Sequence, residues 1–325
     1  MNGLRRYVGM FSLLLAFAGA SSTAYAESLR IGVPVWVGFG PLYIADEKGF
    51  FADEGVDVHL IKFDEGAAEA LFNEQIDALV QDFSTTVVEQ PADERVMHYV
   101  FAIDDSAGGD GIVATQDIQS IADLKGKAVA FDDDTVSEFY LNVLLSEVGL
   151  SAADIEIVSL DAQDAAEAFM LQEVDAVVTW EPSLTAAKNT EHGHLLADSS
   201  SHPGLIVDGL LALPNVFETR REEFKAVARA WDRAVDFVEA HQGEAIEIMA
   251  RNVGGWLEDP AEFAAAMEGV RFYGKTRNQE YFGTAESPGE IYKTMQHAID
   301  IWSELGQLQK SDLVPTDLIA HGIWD

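Results

Sequence analysis

LRIGVPVWVGFGPLYIADEKGFF, residues 29–51, reads as a short strand, a Gly-rich turn and then a helix. Leu29, Ile31 and Val33 alternate with other residues, the period of a strand. Gly38 and Gly40 interrupt any regular structure, and Pro41 suits a first helical position. Ala45 and Lys48 carry the helix to Gly49. A strand that feeds a helix through such a loop points backbone N–H groups at the space above the strand's end. Small ligands sit there in open α/β sheets. Trp36 and Phe39 lie in this loop and offer flat apolar faces, to a ligand or to the core.

The same unit recurs outward from this stretch. Strands are expected at 56–63, 76–81 and 96–103, with a helix at 66–74 between the first two. The strand 76–81 ends in Asp82, Phe83, Ser84 and Thr85, which open a helix. Strand–helix alternation argues for a doubly wound α/β lobe. Asp104 to Gly111, DDSAGGDG, breaks the rhythm and reads as a flexible crossover to a second lobe. Beyond it the pattern restarts. Strands are expected at 111–115, 128–131, 155–160, 174–179 and 194–197, with helices at 135–149 and 162–171. IVDGLLAL, 206–213, reads as the return crossover. From Asn215 the chain reads as helical, with no convincing strand, and is expected to pack onto the first lobe. The expected organisation is a signal peptide at 1–26, lobe one at 27–106 and 211–325, and lobe two at 107–210.

The signal peptide is read from Arg5 and Arg6, the apolar run Val8 to Ala20 and the small-x-small triplet Ala24-Tyr25-Ala26. Cleavage is expected after Ala26, giving a free periplasmic protein. The chain has no cysteine, which excludes disulfides, thiolate metal sites and a lipid-modified N-terminal Cys. The net charge is −36, and loss of Arg5 and Arg6 would make it more negative. A nucleic-acid partner is excluded, because phosphate contacts need a basic surface. The acids are spread evenly, which keeps a protein soluble at high salt.

The motifs of the common hydrolases are absent: no G-x-S-x-G and no H-E-x-x-H. His192 and His194 lack the regular spacing of a metal site. No catalytic residue, metal or cofactor is expected. A binding protein gathers more support. Each lobe presents strand-end loops with an aromatic or polar cluster: Trp36 and Phe39, Asp82 and Ser84, Thr135 and Ser137, Trp180 and Glu181. Two lobes joined by two crossovers close on a ligand like a clamp. The expected cleft residues are Trp36, Phe39, Asp82, Asp110, Ser137, Trp180, Glu181 and Asp208. The two tryptophans would stack on the ligand. Asp82, Glu181 and Asp208 would pair with donors, and Ser137 would hydrogen-bond from a helix start.

Trp36 to Gly40 with Pro41-Leu42-Tyr43, Glu47-Lys48-Gly49-Phe50-Phe51, Asp123-Leu124-Lys125-Gly126, Val174-Asp175-Ala176 and Trp180-Glu181-Pro182 resemble a known family. It is that of the substrate-binding proteins of nitrate/sulfonate/taurine-type ABC importers, with the thiamine-pyrimidine-precursor binders. The resemblance covers about Leu29 to Phe237. Gly108-Gly109-Asp110-Gly111 and the run after Asp123 are similar to a branch found beside urea-carboxylase genes. The resemblance implies an α/β type II periplasmic binding fold with two lobes, a ligand cleft between them, and delivery by a monomer to a membrane permease and its ATPase. One segment departs from the pattern. Sulfonate binders of this family place a Gly-Ser-Thr-like segment before the second-lobe helix; here stand Asp132, Asp133 and Asp134. These acids would repel an anion, so a cationic or neutral nitrogenous ligand is expected, with Asp133 and Glu181 pairing with its charge. Taurine, alkanesulfonates or nitrate remain the alternative ligands. A pyrimidine-synthase-like enzyme acting on bound pyridoxal phosphate is a further alternative, although that branch relies on a Cys-rich segment absent here.

Overall fold

The computed structural model describes residues 27–324 except 64, 65, 94, 254–256 and 285. The expected signal peptide and its cleavage site lie outside the described residues. Eleven strands are described: β1 Leu29–Val33, β2 Val58–Lys62, β3 Ala78–Asp82, β4 His98–Ser106, β5 Asp110–Thr115, β6 Ala128–Phe131, β7 Glu156–Ser159, β8 Ala176–Trp180, β9 Gly193–Asp198, β10 Val207–Ala212 and β11 Val270–Phe272. They form two sheets. One has the order β11-β4-β10-β3-β1-β2 and the other β7-β6-β8-β5-β9. The fold is α/β and two-lobed.

β1 pairs in parallel with both β2 and β3. Parallel neighbours need crossovers, and helices Gly40–Glu47 and Ala67–Phe72 supply them. The first crossover between sheets is the short segment from β4 to β5. The second lies between β9 and β10. β10 pairs antiparallel with β3 and β4 from Val207 onward, so the chain is back in the first sheet before Leu210.

Three expectations from sequence need correction. Asp104 and Asp105 do not belong to a flexible connector: they lie inside β4 with no exposed surface. The helical C-terminal third does contain a strand, β11, antiparallel to β4. It also packs on more than the first lobe. Helix Arg221–Ala240 does bury Phe224, Val227, Trp231 and Val238 in the first lobe's core, at helical spacing. Helix Ile291–Leu305 instead touches the second-lobe helix Val136–Glu147 as well. Phe139 stands 6.3 Å from Trp302 and 5.9 Å from Phe83, ring centre to ring centre. The Gln307 amide donates to Glu138 at 3.0 Å beside them. Among the described residues no helix is long and apolar enough to cross a membrane.

Candidate ligand-binding cleft

A cleft of about 240 Å³ lies between the two sheets. From the first-lobe side come Pro34, Val35, Trp36, Phe39, Val80, Gln81, Asp82 and Thr85, with Ile206 and Asp208. From the second come Asp110, Asp132, Thr135, Val136 and Trp180. Strand ends supply most of them, for the reason already visible in the sequence: a strand that stops at a loop presents its last side chains there. Four carboxylates line the cleft, and no Lys, Arg or His does so among the described residues.

Strand register gathers the acids. Asp208 on β10 is the partner of Asp82 on β3 and of Asp104 on β4. Partners across neighbouring strands share a face, so three carboxylates form a row. Asp105, the next residue on β4, points to the opposite face, where it pairs with Arg277 at 3.1 Å. Among the described residues Asp104 has no such cation; its two oxygens accept from the Trp36 indole N–H. Burial pushes the Asp104 and Asp208 carboxyls above the ordinary carboxylate range, and the Trp36 hydrogen bond partly opposes this at Asp104. Burial also raises Asp82, against the hydrogen bonds from Ser84 and Thr85. Asp110 is pushed up to about 7 by burial, with the charges of Asp82 and Glu181 adding to it.

Two glycines hold the Trp36 ring. A Cβ on Gly38 would lie 2.0 Å from an Asp104 carboxylate oxygen and 2.4 Å from the indole nitrogen. One on Gly109 would lie 2.6 Å from the far edge of the ring. No side chain fits at either position, which is why the chain is glycine-rich on both sides of Trp36.

A profile of proteins described as NMT1/THI5 like matches residues 36–245, well over half of the chain. The chain belongs to the NMT1/THI5-like family. Its fold is similar to that of the periplasmic aliphatic sulphonate binding protein SsuA from Escherichia coli, with a TM-score of 0.70 and 21% identity over 88% of this chain and 95% of that one. The alkanesulfonate-binding protein SsuA from Xanthomonas axonopodis pv. citri, bound to MOPS, gives 0.70 and 21% over 90% and 99%. The periplasmic nitrate-binding protein NrtA from Synechocystis PCC 6803 gives 0.70 and 14% over 91% and 87%. These likenesses carry the two-lobed periplasmic binding fold.

Within this NMT1/THI5-like fold the structure brings six of the eight expected site residues to one cleft: Trp36, Phe39, Asp82, Asp110, Trp180 and Asp208. Ser137 and Glu181 do not line it. Ser137 is buried, its Oγ has no partner, and its N–H donates to Thr135 Oγ1, the helix cap. The Glu181 carboxylate accepts from the Thr185 N–H at 3.1 Å and hydroxyl at 2.7 Å, holding the first turn of helix Ser183–Lys188. Asp133 is exposed outside the cleft, and Asp132 takes the place expected of it. Asp104 was not anticipated. The available signal was its place at the end of an apolar strand, where α/β folds keep their sites.

Proposed function

We propose that this protein is the periplasmic solute-binding component of an ABC importer. It captures a small cationic nitrogenous compound between its lobes and hands it to a permease with its ATPase. Family membership and the two-lobed fold support the binding role. The observation that carries the ligand class is the cleft lining: carboxylates from both lobes, with no basic side chain among the described lining residues. Burial disfavours the charged forms of Asp82, Asp110 and Asp208, and a ligand ammonium or guanidinium would favour them. Trp36 and Trp180 add ring faces that attract the same charge.

A second reading has one observation in its favour. The sulphonate- and nitrate-binding proteins share this fold closely, so an anion remains the competing ligand. A thermal-shift panel separates the two. Guanidinium, methylammonium, choline and pyrimidine amines are compared with taurine, alkanesulfonates and nitrate at equal ionic strength. A ligand at about a hundred times its Kd adds about 2.7 kcal/mol, which raises Tm by several degrees. A rise with cations alone is the expected result. A rise with taurine, a sulfonate or nitrate alone would overturn the cationic reading.

A further inference from the structure

We propose that Asp104 and Asp208 hold a single proton between their carboxyl groups in the empty cleft, and that the ligand's cation enters by displacing it. The proposal rests on the cationic reading of the cleft and adds the way the site takes its charge.

The geometry is that of two facing carboxyls. Asp104 and Asp208 are register partners on the adjacent antiparallel strands β4 and β10, so their carboxyls stand side by side on one face of the sheet. A proton shared between such neighbours lets one carboxyl donate to the other, which two ionised carboxylates cannot do. Their neighbourhood forbids both being ionised at little cost. Asp104 is fully buried and Asp208 is 7% exposed. Asp82 faces them from β3 and Asp110 acts on them from β5, both acids. Glu89, at the end of helix Phe83–Val88, acts in turn on Asp82. On β4 itself, Asp105 points away and is matched by Arg277 and Arg271, from helix Lys275–Phe282 and β11. The Tyr99 hydroxyl lies between the Gln81 and Val207 carbonyls and is committed there. No cation reaches the pair among the described residues.

The Trp36 N–H decides where the proton rests. It donates to Asp104, so Asp104 is the ionised acceptor and Asp208 carries the O–H. Asp208 is also the member that lines the cleft. When a ligand ammonium or guanidinium arrives, the Asp208 O–H bond breaks and the proton leaves to solvent. Ligand N–H groups then occupy the space between the carboxylates. One positive charge replaces another, so the charge of the filled site equals that of the empty one. Nothing is oxidised or reduced. Because one proton leaves per ligand, apparent affinity for a permanently charged cation falls about tenfold per pH unit below the titration of the pair.

Two measurements test this. Infrared difference spectra of the purified protein, wild type minus Asp208→Asn, should show the carbonyl band of a protonated carboxyl at pH 7. Asp208→Glu should retain it. Absence of any Asp208-dependent band overturns the shared proton, whether or not a ligand binds. Calorimetry with millimolar guanidinium, in buffers of differing ionisation enthalpy, should count about one proton released per guanidinium bound. Asp208→Asn should release none. Guanidinium binding to wild type without proton release overturns the exchange. If neither guanidinium nor methylammonium binds, the cationic reading falls and the exchange with it, and the infrared band alone then judges the shared proton.

Discussion

The indole nitrogen of Trp36 stands 3.3 Å from both carboxylate oxygens of Asp104, across 68 residues of chain. This N–H donor offsets part of the burial of Asp104. Trp36→Phe keeps a ring and removes the donor. It should cost about 1–3 kcal/mol of stability, because a buried charged acceptor loses its partner. Cation affinity should fall about tenfold. Denaturant midpoints and calorimetric titration with guanidinium check the two effects separately.

Glycine is required beside the ring by contact, not by backbone angle. Gly38→Ala and Gly109→Ala should each destabilise by about 1–3 kcal/mol, since the Asp104 carboxylate or the indole must move. Gly243 in helix Gln242–Val253 has nothing within 4 Å of a Cβ. Gly243→Ala should therefore stabilise, by about 0.5–1 kcal/mol. Melting temperatures of the three variants would reverse the argument if Gly243→Ala proved the most damaging.

Asp110 should make the empty protein less stable as pH rises. Its pKa is raised to about 7 from an ordinary value of 3.8. Between these pH values the folded state keeps a proton that the unfolded state has lost, so stability falls from about pH 4 to about pH 7 and levels off above. The contribution lost is on the order of 2–4 kcal/mol. Asp110→Asn should flatten the fall and be more stable than wild type at pH 8 in the absence of ligand. Urea unfolding at pH 5, 6, 7 and 8 measures this; an unchanged slope in Asp110→Asn would contradict it.

Glu181 separates a structural acid from a binding one. Its carboxylate is engaged by Thr185, outside the cleft. Glu181→Ala should cost about 0.5–2 kcal/mol, as loss of a helix cap does. Affinity for guanidinium should change by less than twofold. A larger change in affinity at unchanged stability would return Glu181 to the ligand.

The parts of this fold that were legible in the sequence are those specified by local pattern. The alternation at 29–33, the glycines after it and the apolar face of helix Val136–Glu147 depend on neighbours a few residues away. β11 was not legible, because three residues carry no period and only their pairing with β4 makes them a strand. Asp104 and Asp105 looked like a solvated connector for the same reason. Their burial is compensated by Trp36, Asp208 and Arg277, and Arg277 lies 172 residues from Asp105. Six cleft residues were legible because strand ends and aromatic loops mark the rim of an α/β sheet. Thr135 and Ser137 were separable only by seeing which of them caps the helix.

The hydrogen bond between Trp36 and Asp104 makes the protein its own optical probe. An indole's emission colour responds to charge near its nitrogen. Any event that changes the charge or position of the Asp104 carboxyl is therefore written into the fluorescence of one ring among the chain's six tryptophans. Subtracting the spectrum of Trp36→Phe from that of the wild type isolates this ring. Filling of the cleft can then be followed in real time, in solution, with no label attached.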